Sequence, residues 1–214
     1  MSKINSNNRL QKKLPAEQRK ELLLKVATQV FLEKGYEATS LDDIISQAGG
    51  SKRSIYTEFG GKEELFHTIV THLTTQVLAP MRQAISQSTD LRKGLYTFAN
   101  DILSSLFTPT VLDLSRLALT DGVRFPKFAK IYFSSGPGCA ADSLKELLDA
   151  AQKRGEIKCK DTLLSANQFI GMLRDNLYLQ VLLKLRPSPK EQEIKILAQN
   201  AVDIFLLGVG YIES

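Results

Sequence analysis

Lys52, Arg53, Tyr56 and Thr57 are the side chains of this 214-residue sequence whose types and spacing best suit a chemical task. An ammonium, a guanidinium fork, a phenol and a hydroxyl lie within six residues. Phosphate oxygens suit the charges and hydroxyls, and the O6 and N7 of guanine suit the fork. On a helix these four face outward, while Ile55 and Phe59, at i and i+4, face inward. The stretch that must hold them is 39–62, TSLDDIISQAGGSKRSIYTEFGGK. Leu41, Ile44, Ile45 and Ala48 form one stripe of a short helix, and Ser40 with Asp43 three residues later gives it a start like a capping box. Gly49 and Gly50 end that helix, because glycine takes positive φ cheaply, and Ser51 caps the next. Helix, tight turn and helix with a basic, hydroxyl-bearing outer face is the pattern of a major-groove reader.

The flanking elements are predicted to be helices as well. Apolar spacings of three and four dominate, and the breaks fall at proline and glycine. Leu22, Leu23, Val26, Ala27, Val30 and Phe31 mark a helix over 15–34, with Pro15 at its start and Gly35 at its end. A longer helix spans 62–85, facing inward through Leu65, Phe66, Ile69, Val70, Leu73 and Val77. Pro80 is expected to kink or end it near Ala79. Asp90 caps a helix running through Phe107, and Thr108-Pro109 opens one that runs to about Asp121. SSGPG at 134–138 is a turn, followed by a helix over 139–154. Two apolar helices close the chain: 161–185, and a last one opened by Ser188, Pro189 and Glu191 as a capping box with a first-turn proline. The fold class is therefore all-α: an N-terminal three-helix helix-turn-helix unit at 16–61 and a C-terminal helical bundle at 62–214.

The net charge of +5 is local. Residues 1–15 form a basic arm with Lys3, Arg9, Lys12 and Lys13 and no acid, so the rest of the chain is nearly neutral. Such an arm can track phosphates or enter a minor groove; it is equally a solvated tail. A hydrophobic content of 43% with 24% charged residues is that of a folded globular chain. No apolar run approaches the roughly 18 residues that span a bilayer, and the N-terminus is polar, so a cytoplasmic location and no membrane partner are expected. Cys139 and Cys159 fit neither a disulfide framework nor a zinc cluster.

The segment GYEATSLDDIISQAGGSKRSIYTEFGGKEELF, 35–66, resembles the DNA-binding domain of the TetR family of bacterial transcriptional regulators. The shared order is Gly-aromatic, Thr-Ser, Ile-Ile with Ala-Gly, Ser-Lys, Ile-Tyr, Phe, and Lys-Glu-Glu-Leu-Phe. The resemblance implies that Thr39 and Ser40 touch phosphate at the start of the first reading helix. Ser51, Lys52, Arg53, Ser54 and Thr57 would enter the major groove, Tyr56 would reach a phosphate, and Lys62 would hold the DNA backbone. Ser40 and Ser51 also read simply as caps, Tyr56 as a packing residue, and Lys52 and Arg53 as solvated surface. The chain departs from the family at Arg53, where a small residue is common, at Thr57-Glu58, and at Gly61, so the operator sequence does not carry over. LSRLALTDGVRFPKFAKIYFSSGP and LLSANQFIGMLRDNLYLQVLL resemble the sensing half of AefR-like members, which implies effector binding and dimerisation.

Phe98, Ile102, Phe107, Arg116, Phe128, Tyr132, Phe169, Arg174 and Tyr178 are candidate effector contacts: aromatics with a few polar anchors, as in small-molecule sites, though each aromatic is also an ordinary core residue. The last two helices are apolar on more than one side and suit a homodimer interface through Leu177, Val181, Leu197, Ala201 and Phe205; a central pair of core helices is the other reading. Nucleophile elbow, phosphate loop and HExxH signatures are absent, His67 and His72 are five apart and diverge on a helix, and no cofactor or metal is expected. The sequence thus reads as a homodimeric repressor on a palindromic operator, released by a hydrophobic or amphipathic effector. Two alternatives stand beside it: an activator of the same fold, and a helical protein-interaction module in which the 52–57 face binds protein.

Overall fold

The computed structural model describes residues 15–86 and 90–212, and the basic arm read at 1–15 falls, but for Pro15, outside them. Every regular element among the described residues is α-helix. The helices are α1 (Ala16–Lys34), α2 (Leu41–Ala48), α3 (Lys52–Phe59), α4 (Lys62–Ser86), α5 (Leu91–Leu106), α6 (Pro109–Asp121), α7 (Pro126–Ser135), α8 (Pro137–Lys153), α9 (Thr162–Leu173), α10 (Asn176–Leu182) and α11 (Glu191–Gly208). They fall into two compact units. The first ends at Leu73 and also takes Arg116–Tyr132; the second comprises Thr74–Ser115 and the chain from Phe133 onward. Packing therefore carries the first unit past the 61/62 boundary read from the sequence and adds a distant segment to it. No single described helix is long and apolar enough to cross a membrane.

The first unit is built on α1. Its buried stripe is Leu23, Leu24, Ala27, Val30 and Phe31, turned slightly from the predicted one, since Leu24 is buried and Leu22 only partly. An aromatic cluster joins sequence-distant parts: Tyr36 stacks on Phe128 at 5.6 Å, and Phe66 meets Phe128 edge-on at 4.8 Å and Phe31 at 5.1 Å. Offset and edge-on pairs of this kind add attraction beyond their buried area. Polar bonds fix the same junction. Gly35, at φ 87°, closes α1 with its N–H on the Phe31 carbonyl at 2.9 Å, and the Tyr36 N–H donates to Asp121 Oδ2 at 3.0 Å. Asp121 ends α6, so this carboxylate ties the 116–132 segment to the α1–α2 turn. Gly122 follows it for lack of room: a β-carbon there would lie 2.3 Å from the Ala118 carbonyl oxygen.

The second unit has its own core. Phe169 lies between Phe98 at 6.2 Å and Phe205 at 4.8 Å, with α5 packed on α11 and α8 on α9. Three expectations are corrected here. The predicted 161–185 helix breaks at 174–175, where the Asp175 carboxylate accepts the N–H groups of Leu177 and Tyr178 at 2.9 and 3.3 Å and starts α10 instead. An aspartate offering those bonds competes with the continuing helical ladder. α10 ends with Lys184 at φ 60° and Leu185 N–H on the Gln180 carbonyl at 2.8 Å, a Schellman-type close. Ser188 is not the cap of α11, which starts at Glu191 after Lys190; its hydroxyl donates to the Phe107 carbonyl at 3.0 Å. The expected SSGPG turn shrinks to a break at Gly136, whereas α4 keeps the predicted length, running through Pro80 to Ser86. Asp90, by contrast, caps α5 as expected, accepting the Lys93 N–H at 3.1 Å.

Candidate nucleic-acid interface

α3 is held at both ends by its own sequence. Ser51 and Ser54 form a reciprocal box, each hydroxyl oxygen accepting the other residue's backbone N–H at 3.1 Å. Gly60 closes the helix in the left-handed region at φ 91°. Ile55 and Phe59 are buried and anchor one face. Lys52, Arg53, Thr57 and Tyr56 (57% exposed) stand on the other, so the four residues singled out at the start share one open surface. α2 packs against it and is started by a second box, Ser40 with Asp43.

The cations on this unit differ in how committed they are. Lys52 Nζ lies 2.7 Å from Asp42 Oδ2, a pairing that raises the lysine's pKa and leaves part of its charge answered within the protein. Asp42 is thus a neighbour of the reading face that sequence reasoning missed, and a carboxylate ten residues before a reading-helix lysine across a tight turn is the signal that could have found it. Lys62 donates to the Glu37 carbonyl at 3.0 Å and sits 4.7 Å over the Tyr36 ring, where burial pushes its pKa down. Arg53 has neither an ion pair nor a hydrogen bond among the described residues. A groove of about 780 Å³ runs between the start of α1 and α3, with Arg53 in its wall.

Two residues to which the resemblance gives phosphate contacts are engaged within the protein. Thr39 is 2% exposed, and its hydroxyl donates to the Gly35 carbonyl at 2.7 Å, so it secures the end of α1. The Ser40 hydroxyl gives its proton to Asp43 Oδ2 at 2.7 Å, while Lys34 and the Ser40 donors hold the Asp43 carboxyl well below the usual carboxylate range. Ser40 thus caps α2 and stays exposed. Ser54, too, spends its proton, on the Ser51 carbonyl at 2.6 Å.

The candidate effector residues are divided between the units. Phe128 lies in the aromatic core of the first, where Arg116 and Tyr132 also belong. Phe98, Ile102, Phe107, Phe169 and Tyr178 are buried in the core of the second. Arg174 caps α9, its guanidinium 5.9 Å from the Tyr178 ring and its buried Nε without a hydrogen-bond partner among the described residues. The expected dimer residues are corrected as well. Leu177, Val181, Ala201 and Phe205 are core residues of the subunit and Leu197 packs against them, because these positions form the inner stripe of α10 and α11. The outer stripe is Ile196, Ile204 and Leu207 on α11, beside exposed Leu163 and Leu164 on α9. No group of three or more potential ligands is placed to hold a metal among the described residues, and both cysteines are free.

Comparison with known proteins agrees with this architecture. Residues 23–69 match the family described as bacterial regulatory proteins, tetR family, and residues 93–208 match the AefR-like transcriptional repressor, C-terminal domain. A relative named HTH-type transcriptional activator FasR, from Mycolicibacterium smegmatis, is 35% identical over 88 residues, which is 41% of this chain and 40% of that protein. The chain thus matches about two fifths of the length of the first curated relatives. Among solved structures, a TetR-family regulator from Mesorhizobium loti MAFF303099 superposes with a TM-score of 0.76 at 25% identity, over 92% of this chain and 98% of that one. The flavonoid-responsive regulator FrrA gives 0.74 at 27%, over 90% and 97%.

Proposed function

Because this chain belongs to the TetR family of bacterial transcriptional regulators, we propose that it is a homodimeric repressor that reads a palindromic operator through α3 and leaves it when a small amphipathic effector binds. It is a DNA-binding regulator and not an enzyme. The observation that carries the reading is Arg53, exposed and unpaired on the outer face of a helix pinned by Ile55 and Phe59. A guanidinium so presented matches the O6 and N7 edge of guanine in a bidentate contact. Two such helices across a two-fold axis would address half-sites about 34 Å apart, or a multiple of that. Arg53→Ala is expected to cost about 1–3 kcal/mol on a duplex selected by the wild-type protein, roughly 5- to 150-fold in affinity, with scrambled DNA little changed. Anisotropy titration of both duplexes measures this. Wild-type affinities for both would remove Arg53 from base reading.

Arg174 supports the effector half of the proposal. Its orphaned Nε is a buried donor awaiting an acceptor, and Tyr178 with Phe107, 6.1 Å apart, offers aromatic surface beside it. The likeness to a flavonoid-responsive regulator favours a planar polyphenol or similar amphipath. An effector at 100 times its Kd adds about 2.7 kcal/mol, roughly 5–10 °C in melting temperature for a chain of this size. Arg174→Met should keep the unliganded melting point or raise it, since a buried orphan donor is removed, and should shrink the effector's shift. A polyphenol panel that neither stabilises the wild-type protein nor releases DNA would overturn this part. Release would follow from a population shift in which the effector favours a dimer with α4 swung, a helix whose residues are shared between the units.

A further inference from the structure

We propose that Arg19 is a second DNA-contacting cation, which seats a backbone phosphate in the groove between the start of α1 and α3. The inference rests on the docking of α3 in the major groove and adds a contact which that reading did not contain.

Geometry comes first. The major groove is about 12 Å wide, and a helix with its side chains is about 10–12 Å across. Once α3 fills it, whatever lies beside α3 faces a sugar–phosphate ridge and not base edges. What lies beside α3 is the groove of about 780 Å³, with the first turns of α1 as its far wall and Leu23 and Ala48 among its lining residues. A ridge needs such a trough to enter.

Charge points the same way. Arg19 on the α1 side and Arg53 on the α3 side both line the groove, and Glu58 is the one acid in the lining. Glu58 is seven residues after Ser51, about 10 Å along a helix rising 1.5 Å per residue, so on the α3 side the cation and the acid stand at opposite ends of the trough. Three other cations on the unit are already answered: Lys34 by Asp43, Lys52 by Asp42, Lys127 by Glu63. Arg19 is exposed and has no partner among the described residues. A guanidinium left open in a trough beside a reading helix suits a phosphate, with which its fork can pair bidentately. The first turn of α1 enters the rim of the trough at Ala16, one turn before Arg19.

The test uses the full chain, a duplex selected by the wild-type protein from a randomised library, and a scrambled duplex of the same composition. Affinities are measured by anisotropy from 50 to 300 mM KCl, about the range over which phosphate contacts dominate the salt dependence. Arg19→Ala is expected to weaken both duplexes alike, about three- to tenfold, to make the slope of log affinity against log salt shallower by about 0.9, and to leave their ratio unchanged. Arg19→Lys should restore most of the slope, and both variants should melt with the wild-type protein. Unchanged slope and affinities in Arg19→Ala would overturn the proposal, and so would a loss confined to the selected duplex. Arg53→Ala, run in parallel, separates the two readings. If it alone lowers the selected-to-scrambled ratio while Arg19→Ala does nothing, the trough is not a phosphate seat. If neither variant has any effect, the docking of α3 itself is wrong.

Discussion

Phe128→Ala is expected to destabilise the first unit by about 3–5 kcal/mol and to take operator binding with it. Phe128 is 2% exposed, and its ring is one wall of the cluster that also contains Tyr36 and Phe66. Removing it leaves a cavity against two aromatic faces that cannot close without shifting α1 or α4, so both the transfer loss and the cavity loss apply. Against a total domain stability of about 5–15 kcal/mol this is a large fraction. The consequence for DNA is indirect: Tyr36 begins the turn into α2, and α2 packs on α3. Urea unfolding followed beside anisotropy on a selected duplex measures both effects. The sequence had placed Phe128 among effector contacts, and the two roles separate cleanly. An effector contact would leave stability and operator affinity near wild type while blunting release, and that outcome would refute the core role argued from packing.

The parts of this molecule that were legible in the sequence are those written in local chemistry. Ser51, Gly49, Gly50 and Gly60 announce α3 because capping and positive φ are properties of single residues and their near neighbours, and Asp90 announces α5 for the same reason. Arg53 was visible because an exposed guanidinium after a cap needs no tertiary information. What stayed hidden was tertiary. The 116–132 segment packs into the first unit through Asp121, Phe125 and Phe128, contacts that span about 60 to 90 residues of sequence and leave no periodic trace. Thr39 looked like a free hydroxyl until the fold buried it under Gly35. At 174–175 the apolar pattern runs on through a real break, since periodicity counts hydrophobes and Asp175 acts through its carboxylate. Arg19, finally, is one cation among many in α1, and only the groove beside it distinguishes it.

The same limit bears on the proposed dimer, where the expected effect is largest. Two apolar stripes on α11 read alike in sequence, and burial tells them apart: Phe205 is 6% exposed and belongs to the subunit core, whereas Ile204 and Leu207 are 62% and 85% exposed. Leu163 and Leu164 on α9, a helix that packs on α11, are exposed as well, and a second copy covering these apolar residues would give a four-helix arrangement. Ile204→Glu combined with Leu207→Glu is expected to give a folded monomer, because neither side chain contributes to the buried core and a pair of carboxylates facing their own symmetry mates is repulsive as well as desolvated. Sedimentation should report the monomer and circular dichroism an unchanged helix content. Operator affinity should fall about 10²- to 10⁴-fold, since each reading head loses the effective concentration supplied by its linked partner. Phe205→Glu is the contrasting variant: it places a charge in the core and should unfold the second unit. A double variant that remains dimeric with wild-type operator affinity would move the interface off α9 and α11. A folded Phe205→Glu monomer would instead return it to the inner stripe.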